Sequence, residues 1–448
     1  MTCKPSLLPQ ARQLLMMPLL VLAMAGGAQA QSLVELYEMA RTYDATYLAA
    51  RAQADAAEFK AAQAKALGLP TLTGNVRGVA RQIDLPRVEA DSNNAFQTEL
   101  NGRYPLFNRA NQATMEQAER SLIASKAELE AAGQDLIIRL TQAYFDVLAA
   151  KDTVALTKTS QAAILEQLAS AKRNFEVGTA TITDTREAQA KADLAAAQQI
   201  AAENELINRR IALAYLVGRR DIEPLPLAAP VVLPTIVPRN VEEWVTVADT
   251  VHPQVIRART ALEVAKLEID KAKAGELPTV DAVATLGANY AGGSSNQIIP
   301  GTTRTGSIGV ELNWPLYTGG SVQNRIKETV SLEQRSREEF ENARRTVAQN
   351  TRVAFWGVQS GEALVKALEA AESSSRLSLE ATQLGYRVGV RVNIDVLNAQ
   401  TQLFQTQRDL FKSRYDVLVN SLRLRQASGQ LTPNDLLAVN SLLAKPAN

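Results

Sequence analysis

The sequence predicts a mainly α-helical protein with a small β part, in which two tandem copies of one helix-strand-strand-helix-helix unit follow each other. Three observations support this fold class: a long internal repeat, two proline-free stretches of helix-forming residues, and four short segments with alternating polar and apolar side chains. A length of 448 residues would also allow two or three compact domains. The repeat instead favours a single elongated molecule.

The internal repeat is clearest in two pairs of motifs. Residues 174–178 (NFEVG) match residues 385–389 (GYRVG), and residues 104–107 (YPLF) match residues 314–317 (WPLY). The spacing between matched positions stays nearly constant along the chain, so the similarity is that of two complete structural units.

The repeat predicts the boundaries of three segments. The first unit covers residues 31–222, a proline-rich connector covers residues 223–238, and the second unit covers residues 239–448. Five prolines within the connector cannot continue a helix, so we expect an extended chain there.

Each unit contains one very long helix. Residues 108–173 include no proline and are rich in Ala, Leu, Gln, Glu and Lys, which are good helix formers. Apolar side chains recur every three or four positions, which is the spacing of a coiled coil. A helix of this length would extend about 100 Å, and residues 320–384 repeat the pattern.

Four segments are predicted to be β-strands that form two hairpins: residues 71–81, 96–104, 279–290 and 307–314. In the second segment, Phe96, Leu100 and Tyr104 alternate with polar residues. Alternation over about nine residues is typical of a membrane barrel strand, with its apolar face towards lipid and its polar face towards a wet lumen. A soluble sheet with one solvated face is the alternative interpretation.

Four prolines are predicted to be hinges between helix and strand: Pro70, Pro105, Pro278 and Pro315. Proline ends a helix and is tolerated at the first position of a strand. Four strands cannot close a membrane barrel, and an open edge in lipid leaves backbone groups unpaired. Several chains are therefore expected to share one barrel.

Composition argues against several other functions. Near-neutral charge, with 48 Lys and Arg against 47 Asp and Glu, disfavours nucleic-acid binding. One cysteine and one histidine exclude multi-Cys and multi-His metal sites, and no catalytic constellation is visible. We therefore expect no enzyme activity, cofactor or metal. His252 precedes a helix, where a capping or surface role is expected, and the glycines at 287–306 lack phosphate-loop spacing.

The N-terminal residues 1–30 are predicted to be a signal peptide that is cleaved before Gln31. Their apolar run is shorter than the ~20 residues that a membrane anchor needs. Cys3 precedes this run and does not lie at the cleavage point, so we expect no lipid modification.

With these motifs, the chain resembles the TolC family of outer-membrane export channels. The resemblance is strongest over residues 385–397 and their counterparts at 175–184, and extends to residues 434–438. It implies a homotrimer with a long α-helical barrel through the periplasm and a shared twelve-strand barrel in outer-membrane lipid. It also implies a periplasmic adaptor (membrane fusion protein) and an inner-membrane ABC or RND transporter as partners, with secreted proteins or drugs as cargo.

The resemblance also implies which residues contact the adaptor and line the pore constriction. Two helical tips, at about 174–182 and 385–393, would dock the adaptor through Val177, Gly178, Val388 and Gly389. Asp184 and Asp395 occupy equivalent places in the two units, each predicted about two turns into the returning helix, and Asp395 would form a ring of carboxylates at the pore constriction. The position of a second acidic residue is occupied by Asn398, so we expect a single ring.

Further residues would hold the channel closed. The resemblance implies that Thr183 and Asp184 face Tyr386 and Arg391, and that Gln167 pairs with Glu341. Polar and charged residues at these positions are compatible with hydrogen bonds and an Arg–carboxylate pair.

The main alternative is a periplasmic coiled-coil scaffold without a pore. Such a scaffold would not need hairpins with a lipid-compatible face, so the alternating strands favour the channel. A free-standing porin is disfavoured because a porin chain supplies its own complete barrel.

Overall fold

A computed structural model describes residues 31–83, 91–228, 230–231, 233–293 and 300–444. The predicted signal peptide, with Cys3, lies outside these residues. The helices and strands in chain order are α1 (Leu33–Tyr43), α2 (Ala45–Lys65), β1 (Thr71–Ile83), β2 (Asp91–Phe107), α3 (Arg109–Glu176), α4 (Ile182–Val217), α5 (Val241–Val251), α6 (Pro253–Lys273), β3 (Thr279–Gly293), β4 (Gly301–Asn313), α7 (Ser321–Arg387), α8 (Asn393–Ala427) and α9 (Pro433–Asn440).

The element order is mainly α with a small sheet, in two similar halves, as the fold class predicts. The first helix of each half is broken in two, which the predicted unit did not include. At the first break, the Asp44 carboxylate accepts a hydrogen bond from the Tyr47 backbone N–H (2.8 Å) and caps α2. At the second, His252 Nδ1 accepts from the Gln254 N–H (3.1 Å) and caps α6. Burial lowers the pKa of His252, so its imidazole is neutral near neutral pH.

The long helices form two antiparallel pairs. α3 has 68 residues and returns through α4, and α7 has 67 residues and returns through α8. α3 also packs against α8, so the order across one chain is α4, α3, α8 and α7. No helix in the described ranges is both long enough and apolar enough to cross a membrane.

The strands form one antiparallel sheet in the order β1-β2-β3-β4. The pairing of β2 with β3 joins the two halves of the repeat. Every strand except β4 continues beyond its predicted end, and β4 instead starts earlier and ends at Asn313. One face is apolar and exposed along much of its length, as at Val76, Ile308 and Val310.

Three of the four predicted hinge prolines lie outside the strands. Pro70 and Pro278 directly precede β1 and β3, and Pro315 follows β4. Pro105 is different, because it lies inside β2, at the point where the pairing with β3 becomes irregular. A local break in the ladder accommodates the missing N–H of this proline.

The main hydrophobic core lies in the middle of the molecule, where the short helices surround the long ones. Phe145 contacts Tyr144 edge-on, with ring centroids 5.6 Å apart, and stacks on Tyr415 of α8 at 5.4 Å. The Tyr144 hydroxyl donates to the backbone carbonyl of Leu225 (3.0 Å) and thereby anchors the proline-rich connector. The Tyr415 hydroxyl donates to the Asp152 carboxylate (2.6 Å), and burial raises the pKa of Asp152.

A buried ion pair ties the first helix break to α3. Both carboxylate oxygens of Asp44 accept from the Arg139 guanidinium, at 2.9 and 3.1 Å. Only 6% of Asp44 is exposed. These hydrogen bonds lower the pKa of Asp44 below its ordinary value. The charged form is therefore the one that the fold stabilises.

We expect Asp44→Ala to destabilise the protein by about 3 kcal/mol, because it removes a helix cap and leaves Arg139 without its buried partner. Because the folded-state pKa is lowered, this stabilisation is present above the ordinary Asp pKa and is lost as the pH falls through the folded value. Thermal melts of the purified protein across the acidic range measure both effects. Glu38→Ala, which removes an exposed pair with Arg41, is the control; equal melting temperatures for the two variants would contradict the prediction.

Candidate functional site at the helical tips

The two long helices end in turns of the same geometry. Gly178 follows α3 with φ +80°, and Gly389 follows α7 with φ +82°. Both lie in the left-handed region, where a Cβ atom is strained, so glycine fits each reversal. The Thr179 N–H donates to the Asn174 carbonyl (2.8 Å), and the Val390 N–H donates to the Gly385 carbonyl (2.9 Å).

Apolar side chains project from these turns. Val177 is 73% exposed and Val388 is 65% exposed, and Val390 beside it is 76% exposed. Large apolar side chains clustered at the end of a molecule have no packing role in the single chain. They are typical of a surface that contacts another protein.

Asp184 lies in the first turn of α4, so its predicted position two turns into the helix is wrong. Its carboxylate accepts from the Thr181 backbone N–H (2.9 Å), and the Thr181 hydroxyl accepts from the Asp184 N–H (3.2 Å). This reciprocal capping box uses the Asp184 side chain locally. Thr183, beside it, is exposed.

Asp395 also lies in the first turn of its helix, α8, and not two turns in. The Arg391 guanidinium lies 3.6 Å from the Asp395 carboxylate, across one helical turn. A Cβ at Gly385 would lie 2.8 Å from the Arg391 side chain, so this glycine makes room for the arginine. Asn398 is exposed one turn after Asp395, on the same side of the helix.

Two side-chain hydrogen bonds connect the tips of the two halves. Asn174 Nδ2 donates to the Tyr386 hydroxyl (3.0 Å), and the Gln167 amide donates to Asn393 Oδ1. Within one chain, Tyr386 is therefore paired with Asn174 and not with Asp184 or Thr183, because Asp184 is occupied by its cap. Asn393 is only 2% exposed, so its bond is largely shielded from water.

The predicted Gln167–Glu341 pair is wrong. Glu341 accepts from Arg344 (3.1 Å), which also donates to Asp249 of α5. Counted from the ends of their helices, Glu341 lies about 55 Å further from the tips than Gln167 does. Rotation about an axis along the helices preserves this difference in height, so a neighbouring copy would not bring the two residues together either.

The sequence prediction missed Asn174, Gly385 and Asn393. The sequence contained an indication of the roles of Asn174 and Gly385. The repeat aligns Asn174 with Gly385, and this is a position where two otherwise similar motifs differ. The two positions differ because each has its own structural role: Asn174 supplies the amide that bonds to Tyr386, and Gly385 leaves space for Arg391.

Among the described residues, no group of three or more His, Cys, Asp or Glu side chains could hold a metal.

Close helix packing supports the tip region. Small side chains line the contact between α3, α4 and α8, including Ala171, Ala188 and Ala192. The helices can therefore approach closely, with less apolar volume between them than in the aromatic core at Phe145.

Comparison with known proteins identifies relatives along the whole molecule. A family model described as outer membrane efflux protein matches residues 22–219 and 245–430. Outer membrane protein TolC of Vibrio cholerae is 31% identical over 438 residues, which cover 95% of this chain and 98% of that protein. The proteases secretion protein PrtF of Dickeya chrysanthemi is 27% identical over 431 residues, covering 93% and 92% of the two chains.

Solved structures support the fold independently. The crystal structure of the CmeC outer membrane channel of Campylobacter jejuni superposes with a TM-score of 0.78 and covers 91% of this chain and 89% of that chain. Its sequence identity is 17%. The likeness therefore concerns the architecture of helices and sheet.

Proposed function

We propose that three copies of this chain, which belongs to the outer membrane efflux protein family, assemble into one channel from the periplasm to the outside. The chain is an outer-membrane export channel, a member of a family of channel proteins. We infer that residues 1–30 are a signal peptide removed before Gln31 without lipidation, which N-terminal sequencing of the mature protein tests. The observation that carries the proposal is a four-stranded sheet with an exposed apolar face above helices of about 100 Å.

The sheet supports a homotrimer through its edges. β1 and β4 are the outer strands, and each has a neighbour on only one side. Unpaired backbone groups are very unfavourable in lipid, and the smallest membrane barrels have about eight strands. Three copies, with β4 of one beside β1 of the next, give the twelve strands that the family resemblance implies.

The helices support the same assembly through the repeat. Within one chain, α8 packs on α3 through Leu418 and Leu422, which are buried together with Phe145 and Tyr415. The two helices of this contact come from different halves of the repeat. An equivalent contact between the other two helices, α7 and α4, is therefore expected wherever the pattern continues around a ring.

The residues for that second contact are exposed in the single chain. In the register of the repeat, Trp356 of α7 corresponds to Phe145. Ile207 and Ile211 of α4 correspond to Leu418 and Leu422. Trp356 is 55% exposed, and Ile207 and Ile211 are 56% and 61% exposed. We propose that α7 of one copy packs on α4 of the next, so that these apolar side chains become buried.

The tips are proposed to dock a periplasmic adaptor through Val177, Gly178, Val388 and Gly389. Supporting this are the exposed valines beside two matching turns. The adaptor would connect the channel to an inner-membrane transporter of the ABC or RND type. The cargo classes are secreted proteins and small molecules, which agree with the protease secretion in the name of PrtF and the efflux in the name of the family.

The closed state is proposed to depend on two ties between the halves, Asn174–Tyr386 and Gln167–Asn393, and on the local Arg391–Asp395 pair at the start of α8. Each is worth about 1 kcal/mol, which suits a gate that the docking of a partner can open. Asp395 would form the ring of carboxylates at the constriction, with Asn398 one turn further along. Three like charges around a narrow passage favour cations.

We expect Trp356→Ala to reduce trimer formation, because removing a buried aromatic anchor costs about 2 kcal/mol at each interface. Mass measurements of the detergent-solubilised protein at decreasing concentration would detect the dissociation. Phe59→Ala, which removes an exposed aromatic ring from α2, is the control. Equal trimer fractions for both variants would contradict the proposed interface.

We expect a photo-crosslinking residue at Val388 to capture an adaptor of the membrane fusion type in exporting cells, because this position lies on the proposed docking surface. Mass spectrometry of the crosslinked product identifies the partner. The same residue at Leu437, which is exposed on α9, is the control. Absence of an adaptor crosslink at Val388, or equal capture at Leu437, would count against docking at the tips.

We expect Tyr386→Phe combined with Arg391→Ser to raise single-channel conductance in planar bilayers. The double variant removes the acceptor for Asn174 and the partner of Asp395, and so weakens the closed state in each copy. Arg408→Ser, which removes a pair with Asp409 on the same helix, is the matched control. A double variant that stays as closed as the parent protein would argue against the gate.

The same recordings test the constriction. Asp395→Ala should lower the preference for cations over anions, because it removes the proposed ring. Asp184→Asn, which keeps the capping group on α4, should leave this preference unchanged. Unaltered selectivity in Asp395→Ala would show that the ring lies elsewhere.

A further inference from the structure

The polar face of the sheet carries its charges in an ordered way. Among the strand side chains that the structure describes, the charged ones on this face are Arg77, Arg81, Glu99, Arg103, Asp281 and Glu311. The opposite, apolar face has one charged residue within the same ranges, Arg304. Since the apolar face meets lipid in the proposed channel, the polar face lines the lumen.

The strand register gives each charge a level along the lumen. Asp281 and Glu311 are directly opposite each other on β3 and β4, close to the ends of the strands that join the helices. Arg103 lies one step further out and pairs with Asp281 at 2.5 Å. This inner level therefore contains two carboxylates and one guanidinium. Glu99 on β2 lies between the inner and outer levels, opposite Asn75 and about 7 Å from the level of Arg77.

The outer level is basic. Arg77 lies opposite Gln97, and Arg81 lies opposite Asn93. Both arginine side chains are exposed. Along β2, the level of Arg77 is about 27 Å from the level of Asp281, at a rise of about 3.4 Å per residue. This distance exceeds the Debye length of about 8 Å at physiological salt, so the two levels do not cancel each other.

We propose that the lumen of the sheet is electrically divided, with an outer basic zone at Arg77 and Arg81 and an inner zone at Asp281, Glu311 and Arg103 that carries a net negative charge. The proposal rests on the trimeric channel described above, in which three copies multiply each zone by three. Anions from outside collect in the outer zone, and cations in transit collect in the inner zone. Cations that approach from outside meet a repulsive entrance. The sheet therefore sorts ions and charged cargo at a place remote from the tips.

The reaction rates of single cysteines with charged reagents can measure the local potential, and the reagents need not pass the tips to reach the lumen of the sheet. Cys3 is the one cysteine in the sequence, so Cys3→Ser gives a cysteine-free parent protein for these variants. Ala95→Cys places a thiol opposite Val79 in the outer zone, between the levels of Arg77 and Arg81. Gly309→Cys places one in open space, two residues from Glu311 in the inner zone. Trimers in lipid vesicles are treated from outside with a negatively charged and a positively charged methanethiosulfonate of similar size.

The ratio of the two reaction rates reports the potential, because any change in thiol reactivity affects both reagents alike. We expect the ratio of anionic to cationic rate to be about threefold or more higher at Ala95→Cys than at Gly309→Cys, since surface potentials reach several kT. Arg77→Gln should lower the ratio at Ala95→Cys. Arg304→Gln, on the lipid face, is the matched control and should leave it unchanged.

Equal ratios at the two thiols, or an Arg77→Gln variant that behaves like Arg304→Gln, would overturn the divided lumen and leave the channel proposal intact. Failure of both thiols to react with either reagent would overturn the open lumen, and this inference with it. Higher salt should reduce the difference between the thiols, because it screens exposed charges. A difference that is independent of salt would contradict an electrostatic origin.

Discussion

The pairing of backbone hydrogen bonds in a membrane is the constraint on which this structure depends. A strand in lipid must have a neighbour on each side, because water is not available to satisfy its edge. One chain provides four strands and therefore two edges. Three features of the helical part favour contacts between copies: the repeat in the sequence, the exposed Ile207 and Ile211 on α4, and the exposed Trp356 on α7. In the proposed trimer, closing the sheet and pairing the helices are two aspects of the same assembly.

The two halves of the chain resemble each other in architecture and differ in detail. Both contain a broken helix pair, a hairpin, a helix of almost 70 residues and a returning helix. At the tips, however, the first half uses its acidic residue to cap a helix, and the second uses its acidic residue to hold an arginine. A repeat thus supplies the scaffold twice, and the divergence between copies supplies distinct chemistry.

Sequence patterns predicted the fold well where one physical cause dominates. The long helices follow from proline-free, Ala-rich segments, and the hairpins follow from alternation at residues such as Phe96 and Leu100. Strand ends were less accurate, because Pro105 is tolerated within β2 at an irregular pair. Individual tip contacts were the hardest to predict. The partner of Tyr386 depends on a side chain, Asn174, that comes from a distant helix, and the Glu341 assignment failed because sequence resemblance does not measure height along a helix.

The position of the aromatic core gives the long helices a mechanical property. Phe145 and Tyr415 hold α3 to α8 near the middle of the molecule through large aromatic contacts, whereas the contacts near the tips are made by small side chains such as Ala171 and Ala188. From Phe145 to its end at the tip, α3 extends about 47 Å. A tilt of α3 by only about 5° at the aromatic contacts would move its tip end by about 4 Å. Because the helices are so long, a small change in the angle between α3 and α8 at the core would be enough to separate hydrogen-bonded side chains at the tips.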